Sequence, residues 1–126
     1  MIFGIGTDVV EVSRIKNALG RFGDPLAKKI LSSAEYLTYQ KIKVKENFLA
    51  KRFAAKEAFA KALGTGFRGL VTFKSIEVIN DSLGKPSIKM TPELEILVAT
   101  HKIKNCHLSI SNEKNIAVAF VILECA

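Results

Sequence analysis

His107-Leu-Ser-Ile-Ser-Asn-Glu-Lys-Asn-Ile-Ala-Val-Ala-Phe-Val-Ile-Leu-Glu124 decides the fold class. His107 to Ser111 and Ile116 to Glu124 read as two strands, and Asn112-Glu113-Lys114-Asn115 between them has hairpin length. A loop that short joins antiparallel neighbours, because a parallel pair needs a crossover of about a dozen residues or more. Polar residues are few from Ile116 to Val121, so this last strand is expected to be buried on both faces. Further upstream, Lys74 to Asn80 alternates like a half-exposed strand. Asp81-Ser82-Leu83-Gly84-Lys85-Pro86 reads as a turn and Ser87 to Met90 as the returning strand. Thr91-Pro92-Glu93 opens a helix between the two hairpins, with Pro92 at its first position.

The first half of the chain is mostly helical. Ile2 to Val10 is rich in β-branched residues and reads as a buried strand. Ser13 is a candidate cap for a helix to about Leu19, with Gly20 as its stop. Asp24-Pro25 opens a short helix to Leu31, and Ser32-Ser33-Ala34-Glu35 fits a capping box for a helix through about Ile42. The longest helix runs from about Lys45 to Leu63. Helices ahead of strands imply an α+β fold, with the whole of residues 1–126 as a single small domain of helices packed on an antiparallel sheet.

Composition narrows the function classes. Hydrophobic residues make up 48% of the chain and charged residues 25%, the balance of a globular domain. The longest clean apolar run, Ile116 to Leu123, is far short of the roughly 20 residues that span a bilayer, so no membrane partner is expected. Met1-Ile2-Phe3-Gly4 has no basic region ahead of it, which argues against a signal peptide and makes a cytoplasmic location the expectation. Cys106 and Cys125 lack spaced histidine partners and are read as reduced, packed thiols, not zinc ligands. The net charge of +7 favours an acidic partner: nucleic acid, anionic lipid, a polyphosphate or an acidic protein. Tryptophan is absent, aromatics are sparse and no nucleic-acid-binding signature occurs, so nucleic acid is not expected.

The long helix carries the chemistry: Phe48-Leu-Ala-Lys-Arg-Phe-Ala-Ala-Lys-Glu-Ala-Phe-Ala-Lys-Ala-Leu-Gly-Thr-Gly66. At about 100° per residue, Phe48, Ala55, Phe59 and Ala62 form one stripe that should face the core. Glu57 lies roughly opposite, with Lys61 one turn later on nearly the same side. Ala50, Ala54 and Ala58 flank that second face, and small residues there permit close approach by a backbone, a ligand or a neighbouring subunit. Two readings stand: Glu57 and Lys61 are a solvated i,i+4 pair, or they belong to a site. Asp8, after Gly4-Ile5-Gly6-Thr7, is likewise either a turn residue at a strand end or a carboxylate that needs a cation. Two carboxylates without a histidine cluster suit Mg²⁺ better than zinc or iron. Gly64-Thr65-Gly66 is a helix stop and not a P-loop. Ser109 and Ser111 lack the setting of a hydrolase nucleophile, and His101 and His107 lack a nucleophile partner.

Four pieces in order resemble the small trimeric 4'-phosphopantetheinyl transferases of the holo-[acyl-carrier-protein] synthase type. They are GIGTD with VVEVSRI, then FLAKRFAAKEAFAKALGTG, then LGKP, then LSIS before a strand. The likeness runs from Ile2 to about Glu124. It implies transfer of 4'-phosphopantetheine from coenzyme A to a serine of apo acyl carrier protein, for fatty acid synthesis, with 3',5'-ADP released. It implies Mg²⁺ on Asp8 and Glu57, and Lys61 beside the reacting phosphate, these three being the catalytic set. It implies Arg52, Lys61, Gly84, Lys85, Pro86, Ser109 and Ser111 in or near the coenzyme A site, and Arg14 and Arg21 against the acidic carrier. It also implies a homotrimer with active sites between subunits. Histidine often follows the Ser-x-Ser strand in the family; Asn112 stands there in this chain, so no essential acid–base role is expected at that position. The competing readings are a basic nucleic-acid-binding module and a non-catalytic trimer that binds coenzyme A.

Overall fold

The computed structural model describes Met1–Ala126. Its elements run β1 (Ile2–Glu11), α1 (Val12–Phe22), α2 (Asp24–Ile30), α3 (Ser33–Lys41) and α4 (Lys45–Leu63). A single 3₁₀ turn (Phe73–Ser75) leads into β2 (Ile76–Asn80), β3 (Pro86–Met90), α5 (Pro92–Thr100), β4 (Ile103–Glu113) and β5 (Ile116–Cys125). The architecture is α+β, as the chain's pattern implies. β1, β5 and β4 form an antiparallel sheet in that order, and β2 and β3 form a separate antiparallel hairpin.

Helix α4 organises the rest. Phe48, Ala55, Phe59 and Ala62 are buried, as their stripe requires, but so are Ala50, Ala54 and Ala58 on the flanking face. The sheet lies on that alanine face through β1 and β5. Gly4 and Gly6 in β1 permit the contact: a Cβ at Gly4 would overlap the carbonyl oxygen of Ala62, and one at Gly6 that of Ala58. From β5, Ala117, Ala119, Val121 and Leu123 complete the packing, and the buried apolar residues join in one cluster.

Local signals account for most element ends. Ser32 caps α3 by accepting from the Glu35 amide while the Glu35 carboxylate accepts from Ser32 N–H, the reciprocal box read from sequence. Lys45 donates to the carbonyls of Tyr39, Gln40 and Ile42, closing the C-terminal end of α3 with a cation. Thr91 caps α5, and Pro92 starts it.

Three expectations are corrected. Strand β1 is not buried on both sides: it is an edge strand, and Ile5 and Val9 are 59% and 62% exposed on the face turned away from α4. β5, though the central strand, is not buried on both faces either: Phe120 is 40% exposed opposite the buried alanines, so the apolar run marks two different apolar surfaces. Finally, α1 is capped at Glu11 without a side-chain bond, Ser13 lies inside it, and the helix passes Gly20 to stop at Gly23, whose φ is +69°. The Gly23 amide then bonds the Leu19 carbonyl. A solvent-facing glycine inside a helix costs only about 1 kcal/mol, and Gly23 supplies the left-handed exit that Gly20 does not adopt.

Candidate active site

The steric fit of β1 on α4 positions the first cluster. With Gly4 and Gly6 seated on the Ala62 and Ala58 carbonyls, Asp8 arrives on the same side of β1, beside Glu57 and Lys61 of α4. Lys61 Nζ donates to Asp8 Oδ1 at 3.0 Å and to the Thr7 carbonyl at 3.0 Å. The i,i+4 alternative is therefore not what forms: Lys61 reaches across to the sheet, and no cation lies within 4.0 Å of Glu57. Burial raises the Glu57 carboxyl above the usual carboxylate range, and the Asp8 charge raises it further, against the opposing effect of Lys61.

Asp8, Glu57, Glu11, Arg14, Phe53 and Ile116 all line one groove of about 510 Å³. Lys61 answers the charge of Asp8 at 3.0 Å, while Glu57 has no cation of its own. The two carboxylates form no part of a larger metal-ligating cluster. Two carboxylates match a hard cation that completes its shell with water and phosphate oxygens, so the residues present fit Mg²⁺.

A second cluster gathers on another face of the same helix. Arg52 precedes Glu57 by five residues, about 140° around the axis. Its guanidinium is buried over the Phe48 ring at 4.2 Å, with Glu35 Oε2 3.8 Å from Nε. Arg52 Nη2 donates to Asn80 Oδ1 at 3.0 Å, and Asn80 Nδ2 donates to the Gly84 carbonyl at 3.0 Å. The structure thus brings Arg52 and the Gly84-Lys85-Pro86 turn together. Asp81 Oδ1 accepts from the Leu83 and Lys85 amides, and Gly84 adopts φ +87°, which fixes the turn's shape.

Ser109 and Ser111 are not brought to either cluster. Ser109 pairs with Phe120 and Ser111 with Val118. Both serines are exposed on the outer face of the sheet, whereas Asp8, paired with the buried Ala119, faces α4. On α1, Arg14 enters the groove and Arg21, two turns on, lies exposed over Phe22 at 5.2 Å. Asn112 is exposed near the end of β4.

Sequence reasoning missed one ion pair entirely. Lys56 is fully buried and donates to Glu35 Oε1 at 2.6 Å, the Ile30 carbonyl at 2.7 Å and the Phe73 carbonyl at 2.8 Å. Glu35 also accepts from Ser32 and Val78 amides, so this one carboxylate ties α3, α4 and β2. A signal existed. Leu49, Lys56 and Leu63 are spaced by sevens, so helical periodicity places Lys56 on a stripe of core leucines.

The family model described as the 4'-phosphopantetheinyl transferase superfamily matches residues 4–121. A holo-[acyl-carrier-protein] synthase of Nitrosospira multiformis is 53% identical over 124 residues, 98% of this chain and 99% of that protein. The crystal structure of holo-[acyl-carrier-protein] synthase from Neisseria meningitidis superposes with a TM-score of 0.95 at 45% identity, covering 98% of this chain and 99% of that one. That of a holo-(acyl-carrier-protein) synthase from Bacillus anthracis, in complex with CoA (3',5'-ADP), gives a TM-score of 0.84 at 40% identity over 100% and 99% of the two chains. With the two glycines, the alanine ladder and the Asp8–Lys61 contact all inside the matched span, the chain belongs to the 4'-phosphopantetheinyl transferase superfamily.

Proposed function

We propose that this chain is a holo-[acyl-carrier-protein] synthase, transferring 4'-phosphopantetheine from coenzyme A to a serine hydroxyl of apo acyl carrier protein. The observation that carries the reading is the groove in which Asp8 and Glu57 meet, with Lys61 on Asp8 and Arg14 at the rim. The serine oxygen attacks the phosphorus that carries pantetheine. A new P–O bond forms, the bond to the 3',5'-ADP oxygen breaks, and 3',5'-ADP leaves. Such transfers are governed by positioning and charge neutralisation. Asp8 and Glu57 would hold Mg²⁺, which supplies neutralisation of phosphate charge and Lewis-acid polarisation. Lys61, already fixed by Asp8 and the Thr7 carbonyl, presents an ammonium to the charge that grows on the phosphate. The serine proton has carboxylate acceptors in the same groove, in Asp8 and Glu57.

Arg52, Gly84, Lys85 and Pro86 are assigned to coenzyme A, whose phosphates suit a guanidinium and a lysine-bearing turn. Ser109 and Ser111 are assigned there as well, and their position on the outer face implies a second copy. A site that uses both faces of one sheet is completed across an interface, and the exposed Ile5, Val9 and Phe120 give that interface an apolar surface. A ring of three is one closed form of such a head-to-tail contact. A monomer by light scattering that kept full activity would overturn the shared site.

The test of the reaction is the intact mass of apo acyl carrier protein after incubation with the chain, coenzyme A and Mg²⁺. The expected result is a gain of one phosphopantetheine, abolished by EDTA and by Glu57→Gln. No gain across several carrier proteins, with the chain folded, would overturn it. Arg14 and Arg21 are assigned to the acidic carrier. Arg14→Glu should therefore raise the KM for the carrier by about tenfold or more at low salt and leave coenzyme A binding little changed. Equal losses for the two ligands would count against the assignment.

A further inference from the structure

Asn80 has no role in the chemistry above, yet it is the only link between the buried guanidinium and the turn that Arg52 is assigned to work with. Asp81 closes the turn upon itself through its own carboxylate and backbone. Those bonds fix the turn's shape but not its placement against α4. The β2–β3 ladder carries the turn toward α4, and the neighbouring amide is the side chain that ties it to Arg52. Asn80 Oδ1 accepts from Arg52 Nη2, and Asn80 Nδ2 donates to the Gly84 carbonyl, each at 3.0 Å. The two ends of the side chain are chemically distinct, and both bonds demand the orientation they have, because a guanidinium only donates and a carbonyl only accepts.

The Arg52 side needs such a partner. Its Nε is buried without a hydrogen bond, 3.8 Å from the Glu35 carboxylate, and its plane rests on the Phe48 ring. Arg52 is therefore held from below by packing and from one edge by charge, while Asn80 supplies its one side-chain hydrogen bond. A planar fork held in this way has its remaining N–H groups aimed in fixed directions. Glu35 in turn accepts from the Val78 amide, two residues before Asn80, so the strand that carries Asn80 is anchored to the same carboxylate.

We propose that Asn80 is a positioning residue for coenzyme A: its side-chain amide locks Arg52 to the Gly84 carbonyl and so sets the spacing between the guanidinium and the Gly84-Lys85-Pro86 turn. The role rests on the assignment of Arg52 and that turn to coenzyme A. It predicts selectivity, since the lock touches neither Asp8, Glu57 and Lys61 nor the carrier-facing Arg14 and Arg21.

The test compares Asn80→Ala and Asn80→Leu with the unaltered chain. Both remove the donor and the acceptor, and leucine keeps the same branched arrangement of heavy atoms, so an effect common to both reports the hydrogen bonds and not lost packing. Asn80 is exposed, so neither change disturbs the core. Calorimetric titration with coenzyme A alone should show Kd raised about tenfold in both variants, with the KM for coenzyme A raised in parallel. The KM for the carrier and kcat should stay within about twofold. Amide hydrogen exchange at Gly84 and Lys85 should quicken in the ligand-free variants. Coenzyme A affinity unchanged in both variants would overturn the role, as would equal losses for coenzyme A and carrier. A folded unaltered chain that takes up no coenzyme A would instead overturn the assignment of the site, and this role with it.

Discussion

Lys56 and Lys61 lie five residues apart on α4, and each meets a carboxylate, yet the two contacts are opposites. Lys56 is sealed inside with Glu35 and two carbonyls, and every ammonium proton has a partner. Lys61 has a half-exposed ammonium and bonds to Asp8 at the edge of an open groove. Burial pulls the Lys56 ammonium below the ordinary lysine range despite the attraction of Glu35. The inner pair therefore adds little net stability, but its bonds have only one arrangement. The outer pair remains wet and can be rearranged by an arriving phosphate or metal ion. One lysine serves the framework and the other is the one assigned to the reaction, on the same helix and in nearly the same sequence setting.

Breaking the inner pair is the harshest test of that contrast. Glu35→Ala should cost about 3–5 kcal/mol in denaturant unfolding, because Lys56 would be left charged and buried without its counter-ion. A loss under about 1 kcal/mol would mean that the pair does not hold α3, α4 and β2 together. Next comes Glu57→Gln, which should lower kcat by at least about a hundredfold while the chain stays folded. Lys61→Met should also lower kcat by about a hundredfold, yet change unfolding free energy by no more than about 1 kcal/mol, as for an exposed pair. If stability fell as far as in Glu35→Ala, the division between framework and reaction would be wrong.

The smallest effect is in pH. Glu57 binds its proton more tightly in the folded chain than in the unfolded one. In the window from the ordinary carboxylate value up to its raised value, the folded state holds the extra proton. Stability of the metal-free chain should therefore fall slightly as pH rises through that window. Glu57→Gln should remove that slope, measurable as the difference between two pH series of thermal midpoints. A slope of the opposite sign would contradict the crowding of Asp8 and Glu57.

The antiparallel sheet was legible in the sequence because Asn112 to Asn115 allow nothing longer than a hairpin, and α4 because no glycine, proline or β-branched residue interrupts Lys45–Leu63 before Gly64 stops it. The exposure of β1 and β5 was not. An apolar run looks the same whether its second face meets the chain's own core or stands open, and only the packing of α4 on one side distinguishes them. Asp8, Glu57 and Lys61 could be named from their motifs, but the bond from Lys61 to Asp8 spans 53 positions and displaces the local pairing with Glu57 that helical spacing suggests. Lys56 stood in plain view on a leucine stripe. A lysine is ordinarily expected in water, and three oxygen acceptors inside the core outweigh that expectation. Asn80 had no signal at all, since its importance lies in two partners that fold up to it from elsewhere.

The seating of Gly4 and Gly6 on the Ala62 and Ala58 carbonyls carries a lesson about descent. Those positions have no room for a larger side chain whether or not the chain still catalyses anything. Gly4 and Gly6 would be retained by any descendant that keeps the fold, including one that has lost its reaction. The acidic and basic groups beside them are under no such steric duty. In a line freed from selection for the reaction, Asp8, Glu57 and Lys61 would drift first, and the two glycines would remain as a record of ancestry after the chemistry had gone.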